Sequence, residues 1–120
     1  MSDLSRFCFS VGELGLDPAE DFIARIPAGL NSREALFGAL CRELQLPEYF
    51  GGNWDALSEC VRDFHWVPRR RIVVLHEDLP LLDPEAVASY IDILSGAVEF
   101  WMAQKGHEFI VTFPARLAPP

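Results

Sequence analysis

The chain has 120 residues, half of them hydrophobic, and a formal net charge of −8 from 18 acidic against 10 basic side chains. That length suits a single domain over residues 1–120 that removes roughly two-thirds of its unfolded surface from water. The acidic balance serves solubility, repels phosphate backbones and so argues against nucleic-acid binding, and no apolar run approaches the roughly 18 residues a membrane span needs.

The first six residues, Met1 to Arg6, lack the charged and apolar regions of a secretory signal, so a soluble, cytoplasmic chain is expected. Residues 7–11 read as a first strand bounded by Gly12. Asp17-Pro18-Ala19-Glu20 carries a helix-start signature, with Asp as N-cap, Pro at the first helical position and Glu placed for a capping box. The helix it opens is short, since Pro27 and Gly29 follow closely. Asn31 to Glu34 repeats the capping logic before Leu36, Phe37, Leu40, Cys41 and Leu44, a helical stripe that Pro47 ends.

Residues 46–64 form the most informative run. Pro47-Glu48-Tyr49-Phe50 leads into Gly51-Gly52, whose backbone freedom suits a tight turn, and Asn53 can cap the first N–H groups of a helix. On that helix Leu57, Cys60, Val61 and Phe64 fall at i, i+3, i+4 and i+7, one buried stripe. Asp55, Glu59 and Asp63 fall four apart on another, where like charges destabilise a helix by roughly 0.2–0.5 kcal/mol per pair. A connection through His65, Trp66 and Pro68 leads to Ile72-Val73-Val74-Leu75, written like a strand covered on both faces. Asp83-Pro84-Glu85 opens the longest helix, with Val87, Tyr90, Ile91, Leu94, Ala97, Val98 and Trp101 on its stripe and Lys105-Gly106 as the stop. Residues 109–113 are the last strand, and residues 115–120 read as a frayed tail.

Strands separated by helices imply crossover connections, hence an α/β fold with a three-stranded parallel sheet. The odd set Cys8, Cys41 and Cys60, widely spaced in apolar contexts, fits neither a zinc pattern nor a disulfide framework and reads as buried reduced thiols. Cys60 on the buried stripe would be unreactive, so its closeness to His65 does not make a nucleophile pair. Gly51-Gly52 lacks the rest of any phosphate loop, and His65, His76 and His107 have no ligand spacing. No catalytic residue, metal site or cofactor is expected. Tyr49, Asn53, Trp54, Asp55, Ser58, Glu59 and Arg62 lie on the turn and outside the buried stripe, and rings beside carboxylates suit a protein interface. The alternative from spacing alone is a solvated helix face with Trp54 folded back onto the loop.

The pattern L-P-x-Y-[YF]-G-x-N-x-D-A-L-x-[DE]-C holds from Leu46 to Cys60 and resembles the barstar family, intracellular inhibitors of bacterial secreted ribonucleases. The likeness runs from about Asn31 onward, and residues 1–30 match less well. It implies a barstar-like α/β fold, a three-stranded parallel sheet packed against about four helices, and a non-enzymatic role. Tyr49 matches the family tyrosine that packs on the nuclease. Asp55 and Glu59 match the two acids that plug its basic catalytic cleft, engaging Arg, Lys and His groups there. Phe64 joins the expected partner-binding set at a family tryptophan position, with Trp66 nearby to compensate. Glu59 is one methylene longer than the aspartate of the best-known member, Ser58 replaces its tryptophan, Arg62 replaces a small polar residue, and Glu99 aligns with the late family acid only with a shift. Placed beside Glu59, Arg62 is expected to pair with it and mute it. The expected partner is thus a basic ribonuclease or related nuclease toxin, with neither nucleic acid nor membrane bound. The runner-up is a barstar-fold interaction domain with a non-nuclease partner, serving regulation or assembly.

Overall fold

In the computed structural model, which describes residues 4–118, three parallel strands lie side by side in the order β1 (Phe22–Ile26), β2 (Arg71–His76) and β3 (Glu108–Thr112). Parallel strands need long crossovers, and helices supply them. α1 (Arg33–Leu44) and α2 (Trp54–Cys60) lie between β1 and β2, and α3 (Pro84–Met102) lies between β2 and β3. Val74 sits opposite Ala24 on one side and Val111 on the other. Because side chains alternate across a strand, Ala24, Ile26, Ile72, Val74, Phe109 and Val111 share one face, and all are buried. α1 packs on β1, α3 packs on β3, and α2 packs against α3. Their buried stripes are Leu36, Leu40 and Leu44, then Leu57 and Cys60, then Tyr90, Ile91, Leu94, Ala97, Val98 and Trp101. Each such large side chain contributes roughly 1.5–3 kcal/mol by leaving water.

Helix starts follow the local chemistry. Ser32 Oγ accepts from Ala35 N at 3.0 Å, and Asp83 Oδ1 accepts from Ala86 N at 2.9 Å with Pro84 at the first helical position. The N-terminal expectations need correction. Residues 7–11 are not a strand: Cys8 makes a single parallel bridge to Thr112, its N–H donating to the Val111 carbonyl at 2.9 Å, and Val11–Leu14 is a 3₁₀ turn. Asp17 opens no helix either. Its carboxylate accepts from Ala19 N at 3.0 Å and its carbonyl from Asp21 N at 2.7 Å, which closes a turn.

The first strand is instead the segment that follows, where Phe22, Ala24 and Ile26 gain a partner in β2. Asp21 fixes that entry. Arg71 donates to it twice, Nε to Oδ1 at 2.9 Å and Nη2 to Oδ2 at 2.6 Å, and also donates to the carbonyls of Leu14 and Gly15. The Arg71 bonds first, then the Asp17 backbone, hold the Asp21 carboxyl down to about 2. The described residues therefore contain three α-helices rather than about four, since the capping motif at Asp17 is outcompeted by strand pairing. Ala115–Leu117, expected within a frayed tail, form a 3₁₀ turn, and Arg116 pairs with Asp78 at 2.7 Å; Pro119 and Pro120 lie outside the described residues.

Under the sheet sits a buried polar pair. His76 Nδ1 donates to the Thr112 carbonyl at 3.0 Å, and its Nε2 accepts from the Tyr90 hydroxyl at 2.6 Å. The imidazole stacks on Phe113 with ring centres 4.1 Å apart. Burial pushes its pKa down to about 4 and pushes the Tyr90 hydroxyl up. Of the thiols only Cys60 is fully buried; Cys8 and Cys41 are half-buried, less than expected. Burial raises the Cys41 and Cys60 pKa values, which keeps both as thiols. Among the described residues no helix is long and apolar enough to cross a membrane.

Candidate protein-binding site

The approach to α2 is a set of small constraints that leave one aromatic outside. Phe50 N donates to the Pro47 carbonyl at 3.0 Å, closing a turn. The Phe50 ring then packs edge-on against Phe37, with centroids 5.6 Å apart, while Tyr49 remains 55% exposed. Gly52 takes a left-handed φ of 70°, which a side chain would resist, and Asn53 Oδ1 caps α2 through Ala56 N at 2.8 Å. Trp54 is half-buried on Phe37 at 5.0 Å and near Tyr90 at 6.4 Å, so it anchors the start of α2. At the other end Trp101 Nε1 donates to the Val61 carbonyl at 2.8 Å. α2 is thus fixed at both ends.

With Leu57 and Cys60 turned inward, Asp55 and Glu59 are exposed, and Ser58 is half-buried next to them. Among the described residues no cation lies within 4.0 Å of Asp55 or Glu59. Asp55 in the first turn gains from the helix dipole. Glu59, one residue from the helix end, is disfavoured both by that dipole and by Asp55 four residues back. Among the described residues no side-chain hydrogen bond or ion pair offsets this for Glu59.

Asp63 does not continue the acidic stripe. α2 ends at Cys60, and Phe64 turns the chain with a left-handed φ of 49°, uncommon for a residue with a side chain. Asp63 instead holds Tyr49: the phenol donates to Oδ2 at 2.5 Å, and His65 Nδ1 donates to the same carboxylate at 2.9 Å. The Tyr49 and His65 rings lie nearly parallel with centres 6.4 Å apart. The phenol bond foremost, with His65 behind it, lowers the Asp63 pKa, and the carboxylate pushes Tyr49 up to about 12. Tyr49 therefore stays a protonated phenol in a preset position.

Two further expectations change. Phe64, expected to meet a partner, is wholly buried between Trp66, Phe109 and Trp101 at centroid distances of 5.6, 5.4 and 6.4 Å. It presents no surface and serves the core. Arg62, expected to mute Glu59, lies away from it, over the Phe100 ring at 5.8 Å from the centroid and against Gly96. Sequence reasoning missed Asp63 and His65 as supports of Tyr49, because the partners are 14 residues apart and meet only once Phe64 has turned the chain. Asp-x-His at i, i+2 was the available local signal.

The profile of the family described as Barstar (barnase inhibitor) matches residues 24–114. The chain belongs to the barstar family. The match takes in the last three residues of β1, the whole of β2 and β3, the three helices and the Tyr49–His65 surface, and leaves out the start of β1 and the segment before it that Arg71 fastens. No curated protein matches the chain in direct sequence comparison. The candidate site of this barstar-family chain is a fixed α2 whose two exposed acids have no cation within 4.0 Å among the described residues, beside a fixed, exposed tyrosine.

Proposed function

We propose that the protein is an inhibitor that binds the basic active-site cleft of a ribonuclease or related nuclease toxin, acting in the cytoplasm to protect its own cell. The observation that carries this reading is the pair Asp55 and Glu59, one helical turn apart, exposed and, among the described residues, without a cation within 4.0 Å. Free carboxylates on a chain of net charge −8 generate a field that draws in a basic partner. Once docked they stand where RNA phosphate would bind, so the inhibitor plugs the site and does no chemistry. Tyr49, held by Asp63, presents a ring whose ordering cost is already met in the free protein, as preorganised anchors do. Asn53 and Ser58 line the same surface, and Trp54 supports it from beneath. Membership of a family described by barnase inhibition supports the same partner class.

The test is RNA cleavage by barnase, the ribonuclease in the family description, at low ionic strength with increasing amounts of this protein. Because Ser58 and Arg62 depart from the best-known member, only weak dose-dependent inhibition is expected, and it should weaken further with salt and vanish with Asp55→Ala and Glu59→Ala together. Inhibition that the double variant retains would remove α2 from the mechanism.

A further inference from the structure

The His65 side chain is 65% exposed, yet its ring has neighbours on three sides. Its Nδ1 lies 2.9 and 3.0 Å from the two Asp63 oxygens, its plane runs within 10° of the Tyr49 ring, and it meets Trp66 edge-on with centroids 5.3 Å apart. Trp66 is itself tied down, its Nε1 donating to the Leu44 carbonyl at 3.0 Å. An ionised carboxylate only accepts, so Nδ1 carries the proton and Nε2 of the neutral ring is a bare acceptor. Among the described residues no hydrogen bond or ion pair reaches that Nε2. The atom belongs to the candidate site. Tyr49 and His65 donate to one carboxylate and their rings are parallel neighbours, so a body that covers the exposed Tyr49 ring borders on His65. The Tyr49 phenol is raised first by its bond to Asp63 and last by the charge of Glu59, which sets the two rings within electrostatic reach of that α2 acid.

We propose that His65 is a partner-contact residue: its Nε2 accepts a hydrogen bond from a basic side chain of the protein that docks on Tyr49 and α2. This rests on the inhibitor reading of α2. Lysine and arginine side chains carry donors and no acceptor, so a cleft that offers them to Asp55 and Glu59 also suits an acceptor on the same surface. Asp63 orients the imidazole before any partner arrives, so little ordering cost is left for binding. A bare acceptor also disfavours a partner that brings a carboxylate or carbonyl to this position, which gives His65 a part in selecting the partner.

Barnase serves as the basic-cleft probe, at low ionic strength and about pH 8, above the range in which histidines ordinarily charge. Affinity is measured for the wild type, His65→Asn, His65→Gln and the Asp55→Ala/Glu59→Ala pair, and thermal melts establish that each variant is folded. Asparagine places an N–H where Nδ1 stands and so keeps the Asp63 bond without Nε2. Glutamine reaches the Nε2 position with an acceptor of its own and gives up the Nδ1 bond. His65→Asn is expected to weaken binding on the order of tenfold and His65→Gln clearly less, while the nitrogen NMR resonance of wild-type Nε2 shifts as barnase is added. Wild-type affinity in His65→Asn, or an Nε2 resonance that stays in place, overturns the contact. A loss in His65→Gln as large as in His65→Asn also overturns it, because the ring then acts only through its hold on Asp63 and Tyr49. Each of these results, with binding still lost in the acid pair, leaves the inhibitor reading standing. Binding that survives in the acid pair, or a wild type that does not bind at all, overturns that reading and the His65 contact with it.

Discussion

Lowering the pH should destabilise this fold through one buried ring. His76 is neutral in the folded protein because its site is dry, its Nδ1–H is used by the Thr112 carbonyl, and its Nε2 accepts from Tyr90. Its folded pKa of about 4 lies below the ordinary 6.5 of an unfolded chain. Between those values the unfolded state binds a proton that the native state refuses. The stability contribution is thus fully present above pH 6.5, falls as pH drops towards 4, and changes no further below. A gap of about 2.5 units (6.5 − 4) at 1.36 kcal/mol per unit gives about 3 kcal/mol, a large fraction of the roughly 5–15 kcal/mol that holds a domain together. Urea unfolding followed by tryptophan fluorescence from pH 7.5 to 4 would measure it. The control is His76→Gln, which is less stable at pH 7 yet lacks the ring's titration. Equal pH slopes for the wild type and the variant between 6.5 and 4 would refute this reasoning.

Phe64→Ala should cost roughly 3–5 kcal/mol, since a wholly buried ring leaves a cavity among Trp66, Phe109 and Trp101; a loss under about 1 kcal/mol in urea titration would put the ring outside the core. Asp55→Ala and Glu59→Ala should each leave free-protein stability within about 0.5 kcal/mol, because relieved repulsion is small and Asp55 loses some dipole stabilisation. A loss of several kcal/mol would mean that the acids hold structure. The Asp21 carboxyl, depressed to about 2 by Arg71, contributes stability that is present above pH 3.8 and lost as pH falls towards 2. Asp21→Asn should remove that acid limb while leaving the His76 limb, and an unaltered limb below pH 3.8 would assign it to other groups.

What was legible in the sequence follows from which forces are local. The caps at Asn53 and Asp83 and most of the α1 and α3 stripes depend on residues within a few turns and stand as read, although Phe37, Cys41 and Val87 are only half-buried and α3 ends at Met102, short of Lys105-Gly106. The Leu57–Phe64 stripe identified four buried residues but not the backbone: the helix stops at Cys60, and Phe64 reaches the core by a left-handed turn. At Asp17 the local signal lost outright. A cap-and-proline motif competes with a strand whose value lies in pairing with residues some fifty positions away, and with an ion pair to Arg71 over the same distance. The site divides likewise. Exposure of Asp55 and Glu59 followed from helical spacing, whereas the hold on Tyr49 and the place of Arg62 beside α3 needed contacts that no short window contains.

The most direct measurement of the central claim is an NMR titration of isotope-labelled protein with barnase, followed by an oligonucleotide that fills the nuclease cleft. Chemical-shift changes should cluster on Tyr49, Asn53, Asp55, Ser58 and Glu59, and should reverse as the oligonucleotide displaces the inhibitor. Changes centred elsewhere, or a complex that the oligonucleotide leaves intact, would contradict the account.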